Sequence, residues 1–219
     1  MKKIIFFVAF AAVSYTSYSQ SLGYEDLSTM FSRNDRNGSV RFVAMGGAFG
    51  AVGGDVTAMT INPAGISIFN DSNASIAFQS RSTDYLTTYY GNSTSTQQDF
   101  FKVSNAGVVF TFNNYTSDEW SKLAMGINYR VLADFENTFI TKGTSGFASF
   151  DNFPLDNNEI PIMYDIADNQ QLSNFYNGDM SELSFAFSGV YEEKMHVGAG
   201  LNFYDLNFSQ QTILRENNN

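Results

Sequence analysis

The sequence predicts an all-β fold: a transmembrane antiparallel β-barrel with an N-terminal, partly helical plug, of which this chain holds the plug and about five strands. Three observations predict it. A period of two in hydrophobicity begins after residue 73. The two faces it defines are apolar on one side and small, polar or ionic on the other. The connections between the runs alternate between short and long, as turns and loops do on the two sides of an outer membrane.

Composition narrows the function classes. The formal net charge of -10 argues against a nucleic-acid partner, because phosphate contacts need a clustered basic face. With no Cys there is no disulfide framework, thiolate zinc site or Cys nucleophile, and a single His excludes a multi-histidine metal centre. Charged residues make up 16%, below the roughly 25% of an ordinary soluble domain.

Residues 1–19 read as a signal peptide. Met1-Lys2-Lys3 is basic, 4–13 (IIFFVAFAAV) is apolar, and Ser17 and Ser19 suit a signal peptidase that leaves Gln20 first. Such a helix rises about 15 Å, half of a ~30 Å hydrocarbon core, so it does not span. No Cys follows, so this is not a lipoprotein.

Residues 20–72 form the expected plug. A short helix is expected over 24–31, then a polar loop over 33–39. Gly46, Gly50 and Gly54 lie four apart, with Gly47 and Ala51 one step on, which on a helix would make a smooth, closely packable face. Each interior Gly costs about 1 kcal/mol against Ala, so that helix would need an enclosing surface. The spacing matches no nucleotide-binding loop. Asp55 is expected to cap a short helix over 56–61. Asn62-Pro63-Ala64-Gly65 then makes a rigid turn, because Pro63 bars the helical conformation at Asn62.

Residues 73–219 hold the strands, expected at 75–79, 105–113, 123–135, 183–191 and 195–208. In the third, Leu123, Met125, Ile127, Tyr129, Val131, Ala133 and Phe135 oppose Ala124, Gly126, Asn128, Arg130, Leu132 and Asp134. In the fifth the apolar phase slips after Phe203 onto Tyr204, Leu206 and Phe208, which predicts a β-bulge. Residues 114–122 and 192–194 read as short turns, 80–104 and 136–182 as long outer loops. Tyr129, Tyr191 and Phe135 are expected near strand ends as an interfacial girdle. A soluble β-sandwich also alternates; the small and ionic second face favours the barrel.

The run Arg41-Phe42-Val43-Ala44-Met45-Gly46-Gly47-Ala48-Phe49-Gly50, then Gly54-Asp55, then Ile61-Asn62-Pro63-Ala64-Gly65 resembles the N-terminal region of the FadL/TodX outer-membrane transporter family, in particular its Bacteroidetes-like members, some labelled hemin receptors. The resemblance implies a plug inside a barrel of about fourteen strands, with Asn62, Pro63 and Ala64 as plug residues. It implies apolar cargo, such as long-chain fatty acids or aromatic hydrocarbons, passed without a cofactor by a barrel that is monomeric when full length and surrounded by outer-membrane lipid. Five strands fall short of the roughly eight that the smallest barrels need, so the chain is expected to be the N-terminal part of a longer one.

Several residues carry candidate roles. Phe42, Met45 and Phe49 offer apolar contact for cargo. Arg130 could steer a carboxylate, or pair with Asp134 one step along the same face or with an acid of the plug. His196 is a candidate haem ligand or a plain wall residue. The seven acids from Asp151 to Glu182, without a Lys or Arg, could bind calcium or form a solvated loop. No nucleophile–base pair is visible, so the chain is expected not to be an enzyme. Two further classes stay open: a barrel of the type IX secretion shuttle kind that holds exported proteins, and a secreted β-sandwich adhesin.

Overall fold

The computed structural model describes residues 28, 31–33, 35–114, 119–149, 152–153 and 162–218. Residues 1–19, read as a signal peptide, lie outside them, as does much of the acidic stretch after Asp151. The chain splits into two units, Met1–Arg33 and Asn34–Asn219. In the first, Ser28, Phe31 and Ser32 are helical, in keeping with the helix expected there. All that follows concerns the second.

Its frame is an antiparallel sheet. The strands are β1 (Asn73–Tyr89), β2 (Asn92–Asn113), β3 (Trp120–Asp134), β4 (Asn137–Gly143), β7 (Ala167–Tyr191) and β8 (Met195–Asn218); β5 (Asn152–Phe153) and β6 (Ile162–Met163) pair separately. The order is β1-β2-β3-β7, with β8 on the other edge of β7. β3 and β4 lie end to end along one edge of β7, β3 against residues 179–191 and β4 against 170–176. β7 has 25 residues and β8 24, against about 5–6 for an ordinary strand.

All five expected strands are present, but each main strand is longer than its hydrophobic signal. The expected outer loop 80–104 is instead the far half of a hairpin, turned by Tyr90 and Gly91 with φ of 44° and 80°. Two successive left-handed residues make the tight turn whose twist suits paired strands. The expected loop 136–182 likewise contains β4 and the first part of β7. No bulge follows Phe203: the β7–β8 register runs unbroken from Tyr191↔Met195 to Gln171↔Arg215. Tyr204, Leu206 and Phe208 therefore share the side of His196, Gly198 and Gly200. The register shifts fall elsewhere, at Ala77/Phe78 against β2, at Trp120/Lys122 and Val131/Ala133 against β7, and at Asp168/Gln171 against β8.

Residues 35–72 cover one side of the sheet. Val56, Met59 and Ile66 pack on Val109, Ala124 and Ala186, one from each of β2, β3 and β7. Removing side chains of that size from water is worth about 1.5–3 kcal/mol each. On the bare side, Phe110, Leu123, Met125, Ile127 and Phe187 are exposed. The alternation read from sequence thus holds, with the small and polar residues under the N-terminal segment. Phe135 is the exception among the expected girdle residues: it is 5% exposed and meets the Phe208 ring edge-on at 5.9 Å.

The segment is not the glycine-faced helix that the spacing predicts. One helical turn, Val40–Ala44, is capped by Ser39, whose Oγ accepts from the Phe42 amide. Gly46, Gly47 and Gly54 take φ of 63°, 77° and 75°, so the spacing of four marks turns and not a face. Two 3-10 helices follow, Thr57–Thr60 and Pro63–Ile68.

Candidate functional site

The covered side carries three levels, beginning at the end of the sheet where β2–β3 and β7–β8 connect. The first is the seat of the N-terminal segment. Asp55 is 6% exposed; its Oδ1 accepts from the Thr57 amide at 2.8 Å and its Oδ2 from Ser39 Oγ at 2.5 Å. Val56 is the N-cap of the first 3-10 helix, and Asp55, expected as the cap, holds the first helical amide from one residue before it. Thr57 Oγ1 donates to Asn105 Oδ1, and Asn105 Nδ2 donates to Asn128 Oδ1 at 2.7 Å. A buried relay therefore runs from the segment into β2 and β3.

The Asn-Pro-Ala-Gly turn sits against β7 and β8. Asn62 is extended (φ -132°, ψ 85°), as a residue before proline should be, and Pro63 opens the second 3-10 helix at its first position. Asn62 makes no side-chain capping bond to that helix; its contribution is backbone conformation. The Ala64 carbonyl accepts from Ser188 Oγ at 3.1 Å, and Asn202 Nδ2 donates to Thr60 O at 3.2 Å. Ser67 Oγ lies 2.7 Å from His196 Nδ1 and donates to Ala64 O at 2.8 Å. Lys122 Nζ donates to Phe69 O at 3.0 Å. A cleft of about 520 Å³ opens here, beside Ser67, Lys122, Glu193 and His196.

Glycine on the sheet makes this seat possible. A Cβ on Gly107 would meet Val56 at 2.5 Å, one on Gly126 would meet Met59 at 2.6 Å, and one on Gly198 would meet Ala64 Cα at 2.6 Å. Within the segment, Gly53 and Gly65 cross back to back, a Cβ on Gly65 falling 2.8 Å from Gly53 Cα. Gly50 has open space around it.

The second level is ionic. Arg130 Nε donates to Glu182 Oε2 at 2.5 Å, with the two side chains 12% and 1% exposed. The cross-strand register puts Arg130 opposite Glu182, so the expected pairing with Asp134 is not formed. Tyr204 Oη donates to the other oxygen, Glu182 Oε1, at 3.2 Å. Asp134 instead takes Lys102 at 2.6 Å, with Arg81 at 3.8 Å, and Lys102 also reaches Glu136 at 2.7 Å.

The third level is aromatic. Rings follow one another from Tyr85 to Phe139 (6.1 Å), Tyr176 (6.1 Å), Phe208 (6.3 Å) and Phe135 (5.9 Å), across β1, β4, β7 and β8. Beyond it, Gln170 (2% exposed) bonds Ser145, Phe147, Ser149 and Glu216 and so ties the loop after β4 to β8. Burial pushes the Glu216 carboxyl up, but donors from Gln170, Asn218 and Ser149 outweigh it and hold it below the usual glutamate range.

The expected site residues fall at several places. Phe42 and Phe49 are 2% and 0% exposed, stacked at 5.5 Å in the segment's own small core with Ala58, so neither is presented to cargo. Met45 is 42% exposed and outside that core. Arg130 lies over the Phe42 ring at 5.7 Å and is the one expected ligand residue at the ionic level. His196 faces Ser67, and among the described residues no three His, Cys, Asp or Glu come together as a metal site. The sequence reading missed the seat glycines, the Ser67–His196 contact and the aromatic row, all of which depend on register between distant strands.

Compared with protein-family models, curated proteins and solved structures, the chain matches none.

Proposed function

We propose that this chain forms the plugged wall of an outer-membrane barrel that passes apolar small molecules, as the family resembled by residues 41–65 does. The observation that carries the reading is the inverted polarity of the sheet. Its bare side carries Ile76, Phe78, Phe110, Phe112, Leu123, Met125, Ile127, Phe187, Leu201 and Phe203, each at least 43% exposed. Soluble monomers rarely leave an apolar patch beyond a few hundred Å² in water, and the hydrocarbon of a bilayer removes that cost. Trp120 and Tyr191 meet edge-on at 5.3 Å where β3 begins and β7 ends, a position suited to the headgroup layer. The polar relay and the glycine seat give residues 35–72 the attributes of a plug. The aromatic row supplies an apolar surface on the same side.

The test joins location to transport. Cells carrying the protein are fractionated and the membranes washed with carbonate, then uptake of radiolabelled hexadecane is measured against cells without it. Retention in the outer membrane together with faster uptake is expected. Release by carbonate would leave the secreted-sandwich alternative, and retention with unchanged uptake and co-purifying exported proteins would leave the shuttle alternative.

A further inference from the structure

The ionic level bears on what such a barrel would admit, and the inference rests on the pore reading above. An apolar molecule lying along β8 on the covered side meets Leu206 and Tyr204, which are 49% and 64% exposed, and the half-buried Phe208 and Tyr176. At the base of that surface stand Arg130, Glu182 and Tyr204, with Arg130 over the Phe42 ring of the N-terminal segment. A carboxylate arriving there would look for a cation. Arg130 is already held by Glu182, and Glu182 has its second oxygen on Tyr204. The neighbouring cations of the sheet are engaged too: Lys102 on Asp134 and Glu136, and Arg81 on the Glu136 carbonyl. To bind Arg130, a carboxylate would have to displace Glu182, which is 1% exposed and would be left as a buried, unpaired charge. An alcohol or a hydrocarbon makes no such demand, since a hydroxyl can share Tyr204 Oη without breaking the ion pair.

We infer that Glu182 is a specificity-determining residue: by occupying Arg130 it sets the passage for uncharged apolar molecules and against carboxylates. The same arrangement explains why a luminal arginine, read alone, suggests the opposite cargo.

The test compares two molecules of equal chain length, 1-hexadecanol and hexadecanoate, radiolabelled, at a pH where the acid is ionised. Binding to the full chain in phospholipid nanodiscs is measured with empty discs subtracted, for wild type, Glu182→Gln and the double variant Arg130→Gln/Glu182→Gln. Wild type should favour the alcohol by about tenfold, the size of one charge-assisted hydrogen bond. Glu182→Gln should raise acid binding by about tenfold and leave alcohol binding within about twofold, because it frees the guanidinium. The double variant should return to the wild-type preference. Equal binding of both molecules by wild type overturns the inference, and so does an unchanged ratio in assembled Glu182→Gln. Where Glu182→Gln does not assemble, as judged by heat-modifiable mobility on gels, the wild-type ratio and the double variant decide: loss of the alcohol preference in either overturns it. If no form binds either molecule, the apolar-cargo reading itself falls and takes this one with it.

Discussion

Replacing Gly198 by Ala should loosen the N-terminal segment from the sheet while leaving the strands in place. The added Cβ would fall 2.6 Å from Ala64 Cα and 2.7 Å from the Pro63 carbonyl carbon. These are backbone atoms of a proline-fixed turn, so they cannot rotate aside. Overpacking of this kind costs about 1–3 kcal/mol, and the entropy that Gly→Ala removes from the unfolded chain returns about 0.4–1 kcal/mol, so a net loss of roughly 1–2 kcal/mol is expected. Two controls bracket it. At Gly126 the new methyl meets the Met59 Cε at 2.6 Å and its sulfur at 3.0 Å, the end of a flexible side chain that can swing away, so the loss should stay below about 1 kcal/mol. At Gly50 there is open space and no left-handed φ, so Ala should be neutral or stabilising by about 0.5 kcal/mol. The assay is urea titration in lipid vesicles, with Trp120 fluorescence for the sheet and protease cleavage within 35–72 for the segment. Trp120 is the chain's single Trp and sits at the start of β3, so its signal reports the strands. The segment should become cleavable at lower urea in the order Gly198→Ala, Gly126→Ala, Gly50→Ala, with Trp120 midpoints nearly constant. Coincident cleavage curves for Gly198→Ala and Gly50→Ala would refute the idea that glycine on β8 makes the seat.

Three further outcomes are expected. Ile127→Arg places a charge on the bare side of β3 and should cost about 2–4 kcal/mol if it lies at mid-bilayer; assembly into vesicles at the wild-type yield would mean that this side does not meet lipid. Single cysteines at Tyr90 and Glu193 mark opposite ends of the sheet; on whole cells an impermeant thiol reagent should modify only the first, and the reverse labelling would invert the topology. Glu216 has a folded pKa below its ordinary value of 4.5, so its contribution to tying the loop after β4 should be complete above that value and be lost as pH falls through the lowered one. Amide exchange at Ser149 should speed up across that acid range, and Glu216→Gln should flatten the dependence; identical profiles would remove Glu216 from the loop's anchorage.

The faces of the strands were legible because a period of two is imposed by the backbone itself. Once Leu123, Met125 and Ile127 are apolar and Ala124, Gly126 and Asn128 are not, only the choice of covered side remains. Strand length was not legible. In 80–104 Ser, Thr and Gln occupy both faces, and the side that packs on β4 does so largely through hydrogen bonds of Thr87, Thr96 and Gln98, so little hydrophobic contrast marks its period. The glycine run failed for a different reason. Spacing of four suits a close-packed helix face, but the same residues are the ones that adopt positive φ, and Gly46, Gly47 and Gly54 do so. The bond of Asp55 to the Thr57 amide was readable because it is local. The Arg130 partner was not, since Asp134 is near in sequence whereas Glu182 becomes adjacent only through the β3–β7 register. The aromatic phase change after Phe203 carried correct information about side chains and misled about backbone. Tyr204 and Phe208 are large because the covered side changes from a seat, where glycine is needed, to an open surface, where rings can stack.

The direction of the strands limits how the two free edges can be joined. Every pairing in the main sheet is antiparallel, so direction alternates from β1 to β2 to β3, and from β3 to β7 to β8. β4 continues β3 along the same edge of β7 and adds no reversal. β1 and β8 therefore run the same way. An antiparallel ladder cannot form between them, and a direct closure would be a parallel ladder, with slanted, evenly spaced bonds unlike those of every other pair in the sheet. Nor can a second copy inserted in the same orientation supply the match, because its β1 and β8 run in that direction too. Whatever meets β8 with an antiparallel ladder is a strand running like β7 or β2. It would stand beside Tyr204 and Leu206, and, in the proposed barrel, its own covered-side residues would share with the Arg130–Glu182 pair in setting the cargo.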